Sequence, residues 1–220
     1  MVVQALNESN VIGDTLADLA SLSTPDVEVI VVDGGSTDDT VAVASRQAAR
    51  VIRASRGRAR QMNDGAHQAT GEILWFLHAD TRVPAEAGEA LLQAVAAGHR
   101  WGRFDVRLSG QRPALRIVEH LMNLRSRITG IATGDQGIFV TRELFEATRG
   151  YPDIPLMEDI AFSSSLRAAG RPACLRKRVV TSSRRWEQNG IWRTVLLMWR
   201  LRLSYALGAD PAQLARRYHQ

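Results

Sequence analysis

The side chains of this sequence best suited to chemistry are carboxylates that stand just after short apolar runs. In Gly71–Pro84, GEILWFLHADTRVP, the run Ile73–Leu77 gives way to the polar His78–Arg82. An unbroken apolar run with polar boundaries reads as a buried parallel strand. Ligands of open α/β sheets sit beyond the carboxyl ends of such strands, which is where Asp80 would be delivered, with His78 two residues before it. A carboxylate there can hold a hard divalent cation, and the cation a diphosphate. Equally, Asp80 can cap a helix starting near Pro84. Asp33–Gly34–Gly35 follows the apolar Val27–Val32, and Glu8 follows Val2–Leu6. These too have plain readings: a tight turn using glycine's freedom at positive φ, and a first-turn acid facing a helix dipole. Glu158–Asp159 is either a working acid pair or two helix-start acids.

The elements that must position these groups follow from the pattern. Strands are expected at Val2–Leu6, Val27–Val32, Val51–Ala54 and Ile73–Leu77. Between them lie helices from Ser9 or Asn10 to about Leu22, from a Ser36/Asp39 capping box to about Ala48, from an arginine-rich loop at Ser55–Arg60 to Gly71, and from Pro84 to before Gly98. Thr24–Pro25–Asp26 reads as a turn. Strand–helix repetition predicts an α/β fold with a parallel sheet and right-handed crossovers. Glu8, Asp33 and Asp80 then fall on one rim. The second half reads differently. An edge strand is expected at Trp101–Leu108, a helix at Pro113–Ile128, a strand at Gly137–Thr141 with a short helix closed by Gly150, and a Pro-rich loop at Tyr151–Leu156. A helix at Glu158–Ala169, a basic strand at Ala173–Thr181, and helices at Ile191–Leu207 and Pro211–Tyr218 complete the chain.

Composition narrows the class. The chain has 220 residues, 45% of them hydrophobic, which suits one large domain or two small ones. A single cysteine, Cys174, excludes an intramolecular disulfide and a cysteine-cluster metal site and fits a reducing, cytoplasmic location. Met1–Leu6 is too short for a signal peptide or a spanning helix. The net charge of +5 is carried by arginine, since Lys177 is the only lysine, and arginine suits bidentate phosphate contacts. Anionic nucleotides or a membrane surface fit this balance. The absence of zinc-finger, RRM and basic-zipper signatures ranks nucleic acid low.

Taken together and in order, the motifs are specific. Ala5–Leu6–Asn7–Glu8, Val32–Asp38, the Arg58–Gly65 loop RARQMNDG, Leu77–Asp80 and Leu156–Asp159 resemble family 2 glycosyltransferases of the GT-A fold, over about Val2 to Phe162. GRARQMNDGA, FLHADTRVP and PLMEDIAF further resemble a subgroup of short, single-domain members associated with radical-SAM and arsenosugar gene neighbourhoods. The resemblance implies a single α/β domain over residues 1–187 with a mostly parallel, Rossmann-like sheet. Residues 1–98 would form its nucleotide half and 99–187 its acceptor half, with amphipathic helices in a C-terminal extension, 188–220. It implies transfer of a sugar from a UDP- or GDP-type nucleotide-diphosphate sugar to a hydroxyl of a lipid-linked or small-molecule acceptor. Asp33 would hold the base and Glu8 the ribose side of the nucleoside. Arg58 or Arg60 would face the base or a phosphate, with Arg56 less aligned. Asp80 would coordinate Mg²⁺ or Mn²⁺, and Asp159 would be the general base, with Glu158 assisting acceptor positioning or capping and Asp135 the next candidate for the base. A base opposite the leaving group implies inversion.

Two positions depart from the family pattern. His78 replaces the first aspartate of Asp-x-Asp; imidazole is the poorer Mg²⁺ ligand but acceptable to Mn²⁺, and the alternatives are that His78 lines the ribose or does neither. Ser182 stands where processive members carry the glutamine of Gln-x-x-Arg-Trp, which argues for one transfer per acceptor. The competing readings are a non-catalytic nucleotide-sugar-binding or membrane-adaptor domain, and a nucleotidyltransferase, which would want a glycine-rich first loop and lysines. In Gly190–Leu207, Trp192, Val195, Leu196, Trp199 and Leu203 share one helix face. Arginines interrupt the run, so it should not span a bilayer. The stripe is either core, a homo-oligomer contact, or a face lying at the inner membrane surface.

Overall fold

The computed structural model describes residues 1–218 except Pro25, Ala48 and Ala49. In chain order its elements are β1 (Val2–Ala5), α1 (Ile12–Ala20), β2 (Ile30–Asp33), α2 (Thr40–Arg46), β3 (Arg50–Arg53), α3 (Arg58–Gln68), β4 (Ile73–His78), β5 (Thr81–Arg82) and α4 (Ala87–Ala96). Then follow β6 (Trp101–Leu108), α5 (Pro113–Thr129), β7 (Phe139–Thr141), α6 (Arg142–Ala147), α7 (Glu158–Leu166), β8 (Ala173–Thr181), α8 (Arg184–Asn189), α9 (Ile191–Ala206) and α10 (Pro211–Tyr218). The expected turn at Pro25 and the expected helix end at Ala48 lie on residues outside those described.

All eight strands join one sheet in the order β3-β2-β1-β4-β7-β6-β8-β5. The first four run parallel; β7 is antiparallel to β4 and to β6, β8 is parallel to β6, and β5 is antiparallel to β8. This is the mostly parallel α/β sheet expected. Its course is strongly curled, because β4 lies in the middle and β5 at the far edge although only Ala79 and Asp80 separate them. Asp80 therefore occupies a link pulled from both sides. Ala79 N–H donates to Gln4 O at 3.1 Å, Thr15 Oγ1 donates to Ala79 O at 2.7 Å, and Thr81 pairs with Thr181.

Both faces of the parallel half are buried, as its Val/Ile-rich strands demand. Val3, Val31, Trp75 and Leu77 pack under α1 and α4, while Val2, Val32, Leu74 and Phe76 pack under α3 and α7. Helix α3 comes close to the sheet because residue 65 is glycine. A Cβ there would lie 2.4 Å from Val2 Cγ1 and 2.8 Å from Val32 Cγ2. That approach brings the first turn of α3, with Arg58, to the rim.

Several expectations need correction. β6 is not an edge strand; it lies between β7 and β8. Its charged residues suggested an edge, but Arg103 and Asp105 pair with each other beneath α5, where Arg103 also donates to Ser126 Oγ and Asn123 O. The edges are instead β5 and β3, the latter with its end residues Arg50 and Arg53 exposed. Arg58–Gly65 is helical, not a loop. Ser36 does not cap α2, which begins at Thr40; Ser36 Oγ accepts Asn7 N–H at 2.9 Å, and Asn7 Oδ1 accepts Thr37 N–H at 2.8 Å, knitting the loops after β1 and β2 together. Helix α1 starts at Ile12 without a side-chain cap. Asp80 caps no helix, since α4 begins seven residues later at Ala87. Among the described residues no helix is long and apolar enough to cross a membrane.

Candidate active site

The carboxyl ends of β1 and β4 open into a cleft of two joined cavities, about 550 Å³ and 260 Å³. Glu8, Arg58, His78, Asp80, Leu156 and Tyr218 line both and form the neck between them. The larger cavity is walled by the start of α3, including Arg56 and Arg60, and by Asp153–Leu156. The smaller is walled by Glu158, Asp159, Asp135 and the Arg184–Trp186 segment.

At the neck, burial and then the neighbouring carboxylates Asp135 and Glu8 push the Asp80 carboxyl up to about 6. His78 is mostly buried; burial and then the Arg58 guanidinium lower it to about 3, so its imidazole is neutral at pH 7. Its Nδ1 lies 3.5 Å from Asp135 Oδ1, and its Nε2 lies against Gly134, where a Cβ would come within 2.5 Å. Glu8 accepts Arg184 Nη2 on both carboxylate oxygens at 3.1 Å.

On the side of the smaller cavity, Met157 takes a left-handed φ of 70° immediately before α7 and turns Glu158 and Asp159 toward the cleft. Glu158 is buried. Burial and then the adjacent Asp159 raise its carboxyl to about 7, and Arg58 Nη1 stands 3.8 Å away. Asp159 Oδ2 accepts Gly134 N–H at 2.9 Å and its Oδ1 accepts Ile160 N–H at 2.7 Å.

Not every expected residue lies on the wall. Asp33 is 1% exposed, and its carboxylate accepts the N–H groups of Gly35 at 3.1 Å and Ser36 at 3.1 and 3.2 Å. Arg60 reaches the rim but donates through Nε to both oxygens of Asp153, at 3.0 and 2.9 Å. The structure adds residues the sequence did not single out: Arg184 as the partner of Glu8, and Tyr218, whose ring lies under the Arg185 guanidinium at 3.5 Å and whose carbonyl accepts Arg185 Nη2 at 2.9 Å. Arg184 and Arg185 follow β8 as Asp80 follows β4, so the rule that ligands collect beyond strand ends could have found them. Tyr218 carries no local signal, because only the packing of α10 on α9 brings it there.

Among the described residues no three His, Cys, Asp or Glu side chains converge as a metal cage. The neck does fit a cation held jointly by Asp80 and by a ligand's own phosphate oxygens, the usual manner of Mg²⁺. The like charges that raise Asp80 are also what a cation relieves.

Solved structures share this fold. A solved structure of residues 1–349 of S. aureus TarS with UDP-GlcNAc superposes with a TM-score of 0.68 at 19% identity, over 82% of this chain and 57% of that one. The mannosyltransferase PcManGT from Pyrobaculum calidifontis, in complex with GDP-Man and Mn²⁺, gives 0.66 at 21% identity over 99% and 67%. At these identities the likeness is one of fold, and it is the GT-A fold. Among curated proteins, the poly-beta-1,6-N-acetyl-D-glucosamine synthase of Staphylococcus epidermidis is 32% identical over 87 residues, which are 37% of this chain and 21% of that protein. An uncharacterized glycosyltransferase of Mycobacterium tuberculosis is 40% identical over 93 residues, 38% of this chain and 36% of that protein. The matches thus span only a minor part of those relatives. The family profile reaches further: Glycosyl transferase family 2 matches residues 1–142, from β1 through Asp80 to the end of β7, and the chain belongs to that family.

Proposed function

We propose that this chain transfers one sugar from a UDP- or GDP-type nucleotide-diphosphate sugar to the hydroxyl of a lipid-linked or small-molecule acceptor, inverting the anomeric centre. The observation that carries this is the neck: Asp80, His78, Glu8 and Arg58 stand together where the two cavities meet, at the carboxyl ends of β1 and β4. The nucleoside would lie in the larger cavity, with Glu8 toward the ribose. Asp33, buried behind the wall, would serve the base through the loop that its carboxylate orders at Gly35 and Ser36. Arg58 would face the phosphates; Arg60, committed to Asp153, plays a lesser part. Asp80, with the neutral imidazole of His78, would hold Mg²⁺ or Mn²⁺, which when bound neutralises the departing diphosphate. Solved relatives in fold hold UDP-GlcNAc, or Mn²⁺ together with UDP-Glc or GDP-Man, which supports this donor class.

The acceptor would enter through the smaller cavity. Its hydroxyl oxygen bonds to the anomeric carbon as the bond from that carbon to the diphosphate breaks. The electron pair leaves with the diphosphate, and the hydroxyl proton passes to Asp159. Ser182 in place of the processive glutamine supports a single transfer, and the likeness to a polymer synthase covers only 21% of that protein. Calorimetric titration of UDP and GDP with and without Mn²⁺ tests the reading. Asp80→Ala is expected to abolish the Mn²⁺-dependent part of binding while circular dichroism stays native; metal-dependent affinity that survives the substitution overturns the assignment.

A further inference from the structure

The face formed by α5 and α9 is apolar and open. Ile128 is 66% exposed, Leu196 64% and Trp199 65%. Between the two helices runs a groove of about 480 Å³, walled by Leu121, Leu124 and Ile128 from one and by Trp192, Val195 and Trp199 from the other. Its inner end is formed by Trp186, Met198, Arg202 and Asp135, which also line the acceptor side of the catalytic cleft. The groove is therefore continuous with the place where the acceptor must stand.

At that inner end sit two guanidinium groups. Arg125 Nε and Nη2 and Arg202 Nε are closed off from solvent and have no hydrogen-bond partner. Arg125 Nη1 donates only to Ile131 O, at 3.3 Å. Neither arginine is in an ion pair among the described residues. Burial and then Arg202 lower the Arg125 guanidinium to about 10, and burial lowers Arg202 also; Asp159 acts on both only from a distance, as Asp135 does on Arg202. Buried N–H groups of a cation without an acceptor are costly, and a bidentate oxyanion satisfies them best. A second copy of the same helix face would bring more cations to this place and not the anion it lacks.

We propose that the groove binds the apolar chain of an amphiphilic acceptor whose phosphate pairs with Arg125 and Arg202, so that its hydroxyl is presented beside Asp159. This rests on the glycosyl-transfer reading and specifies its acceptor: a lipid bearing both a phosphate and a free hydroxyl.

The test is a tryptophan-fluorescence titration, since Trp186, Trp192 and Trp199 line the groove. The probes are dodecyl phosphate, dodecyl maltoside and inorganic phosphate, the amphiphiles below their micellar concentrations. Dodecyl phosphate carries chain and anion but no alcohol hydroxyl, and with no donor sugar present it binds without reacting. It is expected to bind at least about tenfold tighter than dodecyl maltoside, the size of one charged hydrogen bond, and inorganic phosphate is expected to give no signal at the same concentrations. In the double variant Arg125→Gln with Arg202→Gln that preference is expected to vanish, with dodecyl maltoside unchanged. The variant removes unpaired buried charge, so thermal unfolding should show stability kept or raised. Wild-type protein that binds both amphiphiles equally, binds neither, or keeps its preference after the substitutions overturns the proposal. Should the double variant fail to fold, Trp192→Ser with Trp199→Ser, both at exposed positions, is expected to weaken both amphiphiles together, and unchanged binding of both overturns the proposal. Mn²⁺-dependent UDP and GDP binding, titrated in the same preparations, separates the two readings: donor binding without dodecyl phosphate binding sinks this inference alone, and the converse sinks the transferase reading.

Discussion

Asp159 and Glu158 are neighbours in unlike surroundings. Asp159 is held by two backbone N–H groups, from Gly134 and Ile160, a fixed geometry suited to a base. Asp159→Asn keeps its shape, so donor binding is expected to survive, while turnover should fall by about 10²–10⁴-fold; single-turnover kinetics with a donor sugar would read it. Glu158 is buried with its carboxyl raised from an ordinary 4.5 to about 7. The unfolded chain gives up this proton near its ordinary value and the folded chain near 7, so the folded state binds more protons in between. Glu158 therefore costs stability progressively as pH rises from about 4.5 to 7, and a constant amount above that. Glu158→Gln is expected to gain on wild type across that window and to be more stable above pH 7, by at most ~3 kcal/mol at 1.36 kcal/mol per pKa unit. Denaturant melts at pH 5 and pH 8 would check it, and an advantage that shrinks with rising pH would refute it. At this scale the sequence was informative, because carboxylates after apolar runs need only local reading. It was silent on Arg184, Arg125 and Arg202, whose neighbours lie far away in the chain.

At the scale of elements, positioning depends on close packing. The glycine at position 65 lets α3 lie against β1 and β2 and so sets where Arg58 begins. Gly65→Ala would drive a methyl into Val2 and Val32, both stiff β-branched residues. Overpacking costs roughly 1–3 kcal/mol, partly offset by alanine's better helix propensity of about 1 kcal/mol. A net loss on denaturation is expected, together with weaker nucleotide binding; a variant as stable as wild type with unchanged binding would mean that α3 is not the positioning element. Long periodic elements such as α5 and β8 could be read from the pattern. β5 could not, since two residues carry no period, and β6 was misread because the pairing of Arg103 with Asp105 under α5 is tertiary. The stripe on α9 was recognisable as apolar, but whether it was covered depended on α5, and Trp192, Leu196, Trp199 and Leu203 prove exposed.

In the whole molecule, the curled sheet makes the cleft a product of both ends of the chain. β5 is pinned by β8 a hundred residues later, and Glu8 is held by Arg184 across a separation of 176 residues. During synthesis, Glu8, Asp33 and Asp80 emerge long before residue 181 exists. The parallel strands β1–β4 can pair early, but the Asp80 link stays untethered until β8 arrives. Such long-range closures are slow, so competence to bind donor should be the last property the chain acquires. On refolding from urea, burial of Trp75 and Trp101 is expected to precede Mn²⁺-dependent nucleotide binding, and stopped-flow fluorescence beside a nucleotide-displacement signal would show whether the two phases separate. A chain stalled before β8 would then carry its chemical groups without being able to spend a donor sugar on water.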